Sequence, residues 1–205
     1  VLKLDFNDQS FSYIKSNFSK YSWVLIDSTI KRELASSKYH ERVDECQKAL
    51  SIISKALDKK ITFRDISINE MSCLIDSYPK LFNRIKHLVT ENNRVEQMEI
   101  AIANNNPKQI GKILNKSHIS LRDLYEVSCI EIDYLISVSS KFKYWYGGRI
   151  MGGGFGGNTI NLIKSGQENK YFNFIKEKYK EKFNLNATIY DVKFSNGIEI
   201  INNIN

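Results

Sequence analysis

The chain contains 205 residues, of which 42% are hydrophobic and 26% are charged, with only ten glycines and two prolines. This composition is typical of one packed globular domain and excludes a disordered, collagen-like or low-complexity chain. A formal net charge of +7 would favour contact with phosphates, but the charges are scattered and alternate in sign over Lys176–Lys182, so we expect no nucleic-acid partner.

The first part of the chain predicts three strands and then a helix. Val1–Asp5 and Phe11–Lys15 are short β-rich pieces, and Ser22–Asp27 carries a continuous apolar run of the kind found in a buried central strand. From Glu41 to Leu57, apolar residues recur every three or four positions, which indicates a helix with one buried stripe.

Two further helices are predicted to begin at prolines. Pro79 opens a long helix that reaches Ile102, and Asn106–Pro107 is an N-cap followed by a helix-starting proline. A fourth helix is predicted over Ile132–Ser139. The remaining elements are a strand, a glycine loop, a strand, a helix and a two-stranded hairpin: Tyr144–Tyr146, Gly152–Gly157, Thr159–Ile163, Glu168–Phe183, and Ala187–Val192 with Ile198–Ile201 around the turn Ser195–Gly197.

Strands at both ends of the chain, with helices clustered between them, predict an α+β fold. In this fold an antiparallel sheet has its helices packed on one face. The sequence shows no internal repeat and no linker. We therefore expect a single domain over residues 1–205.

The glycine loop Gly152–Gly157 is the most unusual stretch of the sequence. Its glycines would let backbone N–H groups approach a ligand closely, but a tight crossing of two strands would use glycine equally well. No Gly-Lys-Ser/Thr follows, so the loop is not a phosphate loop of the Walker type. Both interpretations remain open at the level of the sequence.

Several polar clusters have an ordinary structural explanation. Ser117–Cys129 is rich in reactive side chains, but its spacing fixes no nucleophile against a base, so support of helix ends is the favoured interpretation. Arg84, His87, Glu91 and Arg94 share one helix face by their spacing, which favours a salt-bridged helix surface over a site.

Two single residues have both a functional and a structural interpretation. The phenol of Tyr39 would donate a hydrogen bond to a sugar or only anchor the helix that follows. Lys31, next to Arg32, closely follows the predicted buried strand, from which it would reach a phosphate; taken alone, Lys31 and Tyr39 both favour an ordinary structural role.

Cysteines and histidines limit the remaining possibilities. Cys46, Cys73 and Cys129 form no CxxC pair and cannot all be paired, which favours a reducing, cytoplasmic location. With three histidines and no HExxH pattern we expect no transition-metal site. No apolar run approaches the roughly 20 residues needed to cross a bilayer, so we expect no membrane association.

Four stretches, read together and in order, resemble the C-terminal half of galactokinases, members of the GHMP small-molecule kinase superfamily. The last stretch, Tyr-Gly-Gly-Arg-Ile-Met-Gly-Gly-Gly-Phe-Gly-Gly, is similar to the third motif of that family. The similarity extends from about Leu2 to the last predicted strand. The stretches are Val24–Arg42, Arg84–Arg94, Ser117–Cys129 and Tyr146–Gly157.

The resemblance implies a ferredoxin-like C-terminal domain and, in the full-length protein, ATP-dependent phosphorylation of α-D-galactose to galactose 1-phosphate. It implies that Tyr39 hydrogen-bonds the sugar and that Lys31 faces the phosphates. The motif residues would back the phosphate-binding loop and shape the sugar end of the cleft: Gly152, Gly153, Gly154, Phe155, Gly156 and Gly157.

The resemblance also implies which parts of the catalytic machinery lie elsewhere. In that family the catalytic aspartate, the galactose-recognising motif and the phosphate loop with its Mg²⁺ ligands precede the first matched residue. We therefore expect no catalytic residue and no metal ligand in this chain. The chain is expected to need an N-terminal kinase domain and to be inactive alone.

The matched part departs from the family pattern at five positions. Met151 stands where Thr is usual, Gly148 where Ser is usual and Asn158 where Cys is common, while Leu124 and Ile130 replace Asp and Pro. One alternative is therefore a non-catalytic sensor of galactose and ATP, or a degenerate relative. Another is an N-acetylgalactosamine kinase, which Gly-Gly-Gly-Phe155 disfavours because those kinases usually have Gly-Ala-Gly-Trp.

Overall fold

The structure, a computed structural model, describes residues 1–30 and 35–192, without the side chains of residues 35 and 36. Lys31, the turn Ser195–Gly197 and the predicted strand Ile198–Ile201 lie outside the described residues. Within them the elements are β1 (Leu2–Leu4), β2 (Phe11–Tyr13), β3 (Tyr21–Asp27), α1 (Ala35–Ala56), α2 (Pro79–Ala103), α3 (Pro107–Asp123), α4 (Ile130–Ser139), β4 (Trp145–Ile150), β5 (Asn158–Lys164), α5 (Glu168–Phe183) and β6 (Thr188–Val192). Two 3₁₀ turns, Phe63–Asp65 and Glu70–Leu74, separate α1 from α2.

Local signals in the sequence place most of these elements. Pro79 and Pro107 open α2 and α3, and the Asn106 side chain caps α3 by accepting a hydrogen bond from the Gln109 N–H. Helix α1 begins at Ala35, before the predicted start at Glu41. No helix within the described ranges combines the length and the apolar character needed to cross a membrane.

The central sheet has four antiparallel strands in the order β4-β5-β3-β6. The chain runs from β3 through α1–α4 to β4, forms a hairpin into β5, and returns through α5 to β6. This is the split βαβ arrangement of ferredoxin-like folds. The predicted α+β class is thereby confirmed, and β1 and β2 form a separate two-stranded hairpin.

Helices cover both faces of the sheet, whereas the sequence predicted them on one. Val24 and Ile26 of β3 pack with residues of α4 and α5. Trp23, on the opposite face, packs with residues of α3 and the C-terminal end of α2. The reason is the apolar run of β3, because a strand buried on both faces needs a helical layer on each.

The second layer lies unusually close to the sheet where Gly111 of α3 crosses β4. A Cβ atom built on Gly111 would lie 2.1 Å from the carbonyl oxygen of Tyr146 and 2.8 Å from the backbone nitrogen of Gly147. Both of these atoms belong to the backbone of β4 and cannot rotate away, so a side chain at position 111 would have no room. This crossing holds the N-terminal part of β4 and therefore the loop that follows the strand.

Two further clusters of buried residues complete the core. One joins α1, the 3₁₀ turns and α2, with Ile53 and Ile85 fully buried. The other lies under the glycine loop and consists of Leu121, Val127, Ile132 and Ile150. The described part of the chain thus has an extensive core of its own.

Candidate functional site

The glycine loop leaves β4 at Met151 and enters β5 at Asn158. The Met151 N–H donates to the Asn158 carbonyl at 2.9 Å, which closes the base of the loop. Gly152, Gly154, Gly156 and Gly157 all have positive φ, and so does Phe155, at 59°. The loop therefore follows a path that L side chains rarely adopt.

The inner part of this loop is packed directly against backbone from two other segments. A Cβ atom on Gly154 would lie 2.3 Å from the carbonyl oxygen of Val127, and one on Gly156 would lie 2.9 Å from that of Ile30. The Phe155 N–H donates to the same Val127 carbonyl at 2.7 Å. Close approach of backbone thus explains the glycines at 154 and 156.

The outer part of the loop is open and faces Tyr39. Gly152 and Gly153 are exposed, and a Cβ atom on Gly153 would lie 3.9 Å from Cδ2 of Tyr39. Tyr39, on the first turns of α1, is 45% exposed. Of the predicted site residues, Gly152, Gly153 and Tyr39 therefore come together as a rim of exposed backbone beside a phenol.

Lys38 adds a positive charge to this rim. Its Nζ lies 5.4 Å from the centre of the Phe155 ring, a cation–π distance. Lys38 was not singled out by sequence reasoning, although its position next to Tyr39 in the quoted stretch is a usable signal. We name Gly152, Gly153, Tyr39 and Lys38 the open rim.

The segment that leads towards Lys31 is tied to the same loop. Both the N–H and the hydroxyl of Ser28 donate to the Gly157 carbonyl, at 3.0 and 2.8 Å. The Tyr179 hydroxyl of α5 donates to the Ser28 carbonyl at 2.8 Å. Because Lys31 itself lies outside the described residues, its role stays a prediction.

The loop after α3, which carries Val127, is held by two buried arginines. Arg42 of α1 donates from Nε to the Tyr125 carbonyl at 2.8 Å. Arg84 of α2 is fully buried, donates to the Leu124 carbonyl and pairs with Glu126 at 2.7 Å. Helices α1 and α2 thereby fix the backbone on which Gly154 and Phe155 rest.

Glu45 is the counter-charge of this network. Its carboxylate accepts from Arg84 Nε at 2.6 Å and also pairs with Lys80. Burial alone would raise the pKa of Glu45, but hydrogen bonds from Arg84 and Lys80 lower it overall, so the carboxylate stays charged.

The helix face that carries Arg84, His87, Glu91 and Arg94 is salt-bridged as predicted, but its centre is buried and not a surface. The His87 ring stacks on Tyr125 with centroids 4.5 Å apart, and its Nδ1 lies 2.9 Å from the Ser120 hydroxyl. Sequence reasoning missed the burial because the partners, Ser120 and Tyr125, come from α3 and from the loop after it. The Ser117–Cys129 stretch thus supplies structural contacts through Ser120 and Tyr125, whereas Arg122 and Asp123, the residues expected to satisfy helix ends, pair with each other.

Stability is expected to fall in mild acid because of His87. Burial, the largest cause, lowers its pKa from 6.5 to about 4. Between these values the unfolded chain binds a proton that the folded chain does not, so stability is full above pH 6.5 and falls by about 3 kcal/mol as the pH drops towards 4. Urea unfolding at pH 7, 5.5 and 4.5 measures this loss.

The variant His87→Gln is the control for this titration. It should be less stable than the parent chain at pH 7 and should lose less stability than the parent chain between pH 7 and 5.5, a window above the usual pKa of carboxylates such as Glu45. An unfolding midpoint of the parent chain that stays constant between pH 6.5 and 4.5 would contradict a buried neutral imidazole.

One departure from the family pattern has a structural explanation. A Cβ atom on Gly148 would lie 2.4 Å from Oδ1 of Asn161, and the Asn161 side chain also accepts from Trp145 Nε1. A serine at 148 would therefore collide with the fully buried Asn161. Nothing in the structure explains Met151 in the place of threonine.

The described part of the site offers groups for binding. The open rim presents backbone, one phenol and one ammonium group. Within residues 1–30 and 35–192, no group of three or more His, Cys, Asp or Glu side chains could hold a metal ion.

Comparison with known proteins identifies the family. Galactokinases of Clostridium acetobutylicum and Thermotoga neapolitana are 37% and 33% identical over 204 and 198 residues, which is 98% and 97% of this chain. The crystal structure of Lactococcus lactis galactokinase complexed with galactose superposes with a TM-score of 0.85 over 93% of the chain, at 30% identity. The chain is a homologue of the C-terminal half of galactokinases.

Other comparisons define the extent of the match. The chain spans about half the length of the curated relatives it matches, 52% and 54% for the two galactokinases. It covers 49% of the Lactococcus lactis structure. A mevalonate kinase of L. major in complex with R-mevalonate shares the fold at a TM-score of 0.57 and 17% identity over 89% of this chain and 44% of its own. No protein-family model matches the chain.

Proposed function

We propose that the full-length protein is a galactokinase, which phosphorylates α-D-galactose with ATP to give galactose 1-phosphate. This chain then supplies one wall of the active-site cleft. The observation that carries the proposal is the open rim, where exposed glycine backbone lies beside the Tyr39 side chain. We also propose that the protein is a soluble enzyme of sugar metabolism in the cytoplasm. The three free cysteines support this location, because thiols stay reduced there.

Tyr39 is proposed to hydrogen-bond the sugar. Its phenol combines an apolar ring, suited to a sugar face, with a polar group that can donate and accept. Gly152 and Gly153 leave space next to this ring for a ligand, because neither carries a side chain and both are exposed. Lys38 supplies a positive charge at the same rim, suited to a phosphoryl group.

The phosphate groups of ATP, and not its base, would be the part nearest to the wall that this chain supplies. Phosphoryl transfer depends on a phosphate cradle, a metal ion and a base acting together. Residues 1–30 and 35–192 offer no cluster of His, Cys, Asp or Glu side chains that fits Mg²⁺. The Mg²⁺ ligands, the catalytic aspartate and the phosphate loop are proposed to lie in an N-terminal half.

The direct test is an assay of the full-length protein with ATP and Mg²⁺. Formation of galactose 1-phosphate, with N-acetylgalactosamine as a poorer acceptor, is the expected result. Preference for N-acetylgalactosamine would support the sister kinase instead. Saturable binding of galactose and ATP without turnover would support a sensor.

Replacing Tyr39 with phenylalanine in the full-length protein is expected to raise the KM for galactose. Loss of one hydrogen bond between neutral groups corresponds to about 1 kcal/mol, or roughly a fivefold change. Steady-state kinetics with varied galactose measure it. Tyr78→Phe is the matched control, because Tyr78 is similarly exposed but lies at the start of α2, and it should leave KM unchanged.

The 205-residue chain alone is expected to release no galactose-dependent ADP above background. The reason is that positioning and electrostatic stabilisation of the transferred phosphoryl group require the parts proposed for the N-terminal half. A coupled assay for ADP, on material shown by circular dichroism to be folded, measures this. Clear turnover would contradict the assignment of catalysis to the other half.

A further inference from the structure

A cavity of 240 Å³, which no residue of the open rim lines, lies between α2, α3, the β1–β2 hairpin and β4. Most of its wall is apolar and is formed by side chains from the hairpin, α2 and α3. Apolar cavities of about 150 Å³ in proteins bind molecules of the size of benzene, so this one has room for a somewhat larger molecule. The apolar lining includes Leu2, Leu4, Ile14, Val95, Met98 and Ile113.

One part of the wall is charged. Glu91 of α2 accepts a hydrogen bond from the Ser117 hydroxyl and pairs with Arg149 at 3.1 Å and with Arg94 at 2.9 Å. All four residues line the cavity. Burial would raise the pKa of Glu91, but the Ser117 hydrogen bond and the two arginines lower it overall, so the carboxylate stays charged.

The charges on this wall do not balance. Two guanidinium groups face one carboxylate, and the remaining charged pair at the cavity, Lys3 with Glu99 at 2.6 Å, is neutral as a unit. The side chains that line the cavity therefore carry one positive charge in excess. Among residues 1–30 and 35–192, neither Nη1 of Arg94 nor Nη2 of Arg149 has a hydrogen-bond partner.

We propose that this cavity is a binding site for a small amphipathic anion, a monocarboxylate of about six carbon atoms. The hydrocarbon would lie against Val95, Met98 and Ile113, and the carboxylate would accept from the free N–H groups of Arg94 and Arg149. An inorganic anion would leave the apolar wall exposed, and a neutral molecule would leave the excess charge without a partner. The inference does not rest on the galactokinase activity.

Binding of hexanoate to the 205-residue chain tests the proposal. Titration followed by NMR of the arginine Nε–H signals should show saturable shifts for Arg94 and Arg149. The alcohol 1-hexanol, which has the same number of carbon atoms and no charge, should bind at least fivefold more weakly. Inorganic phosphate, which has charge and no hydrocarbon, should also bind at least fivefold more weakly.

Two variants and a control locate the site. Arg94→Gln should weaken hexanoate binding at least fivefold, and Val95→Trp, at a half-exposed position of the wall, should block the cavity while the chain stays folded. Arg122→Gln removes an arginine that pairs with Asp123 on the surface of α3 and should have no effect. Equal binding by the parent chain and both cavity variants would overturn the site, and equal affinity for hexanoate and either comparison ligand would overturn the ligand class.

Discussion

Replacing Arg84 with methionine is expected to lower the free energy of unfolding by about 3 kcal/mol. Removal of one partner from a buried ion pair leaves a buried charge without compensation, which commonly costs about 3–5 kcal/mol. The lower end applies here because Glu45 keeps its contact with Lys80 and Glu126 is half exposed. Urea unfolding of the parent chain and the variant at pH 7 measures the difference.

An exposed arginine provides the comparison. Arg122 pairs with Asp123 at 2.6 Å, but both side chains are more than 40% exposed. Solvent screens such pairs, so Arg122→Met should change the free energy of unfolding by less than about 1 kcal/mol. Similar losses for Arg84→Met and Arg122→Met would show that the buried network contributes little to stability.

Replacing Gly111 with alanine should be at least as damaging, about 3 kcal/mol or more. The added methyl group would lie 2.1 Å from the carbonyl oxygen of Tyr146 and 2.3 Å from its carbon. These are backbone atoms, so no rotation of a side chain relieves the collision, and α3 has to move away from β4. Urea unfolding again measures the loss.

The variant Gly166→Ala is the control, because it measures how much stability is lost through backbone conformation alone, without a steric collision. Gly166 has φ of +80°, but nothing lies within 4 Å of a Cβ atom built there. Alanine at this position pays only for the left-handed conformation, about 1–2 kcal/mol. An equal loss for the two variants would contradict the close crossing of α3 over β4.

Elements with strong local signals were predicted well from the sequence. Helix α5 has the predicted bounds Glu168–Phe183, and Asn106 caps α3 as expected. The start of α1 was predicted late, because its first turns carry exposed residues such as Tyr39 and His40 and so lack the apolar spacing that marks a buried helix face.

What the sequence left undecided depends on contacts between distant segments. Arg84 meets Glu45 across 39 positions and Glu126 across 42, and no periodicity predicts such pairs. The sequence left two interpretations of the glycine loop open: close packing is observed for its inner part, and ligand binding stays a prediction for its outer part. Gly154 and Gly156 are packed against backbone, whereas Gly152 and Gly153 are exposed beside Tyr39.

The packing of Gly154 on Val127 and of Gly156 on Ile30 has a consequence for ligand recognition. A loop in contact with backbone on two sides, and with the Phe155 N–H already bonded, has few alternative conformations. Its conformational entropy is lost when the chain folds and not when a ligand arrives. Such preorganisation would favour affinity for the proposed ligand, and any closure around it would have to come from segments other than the inner part of this loop.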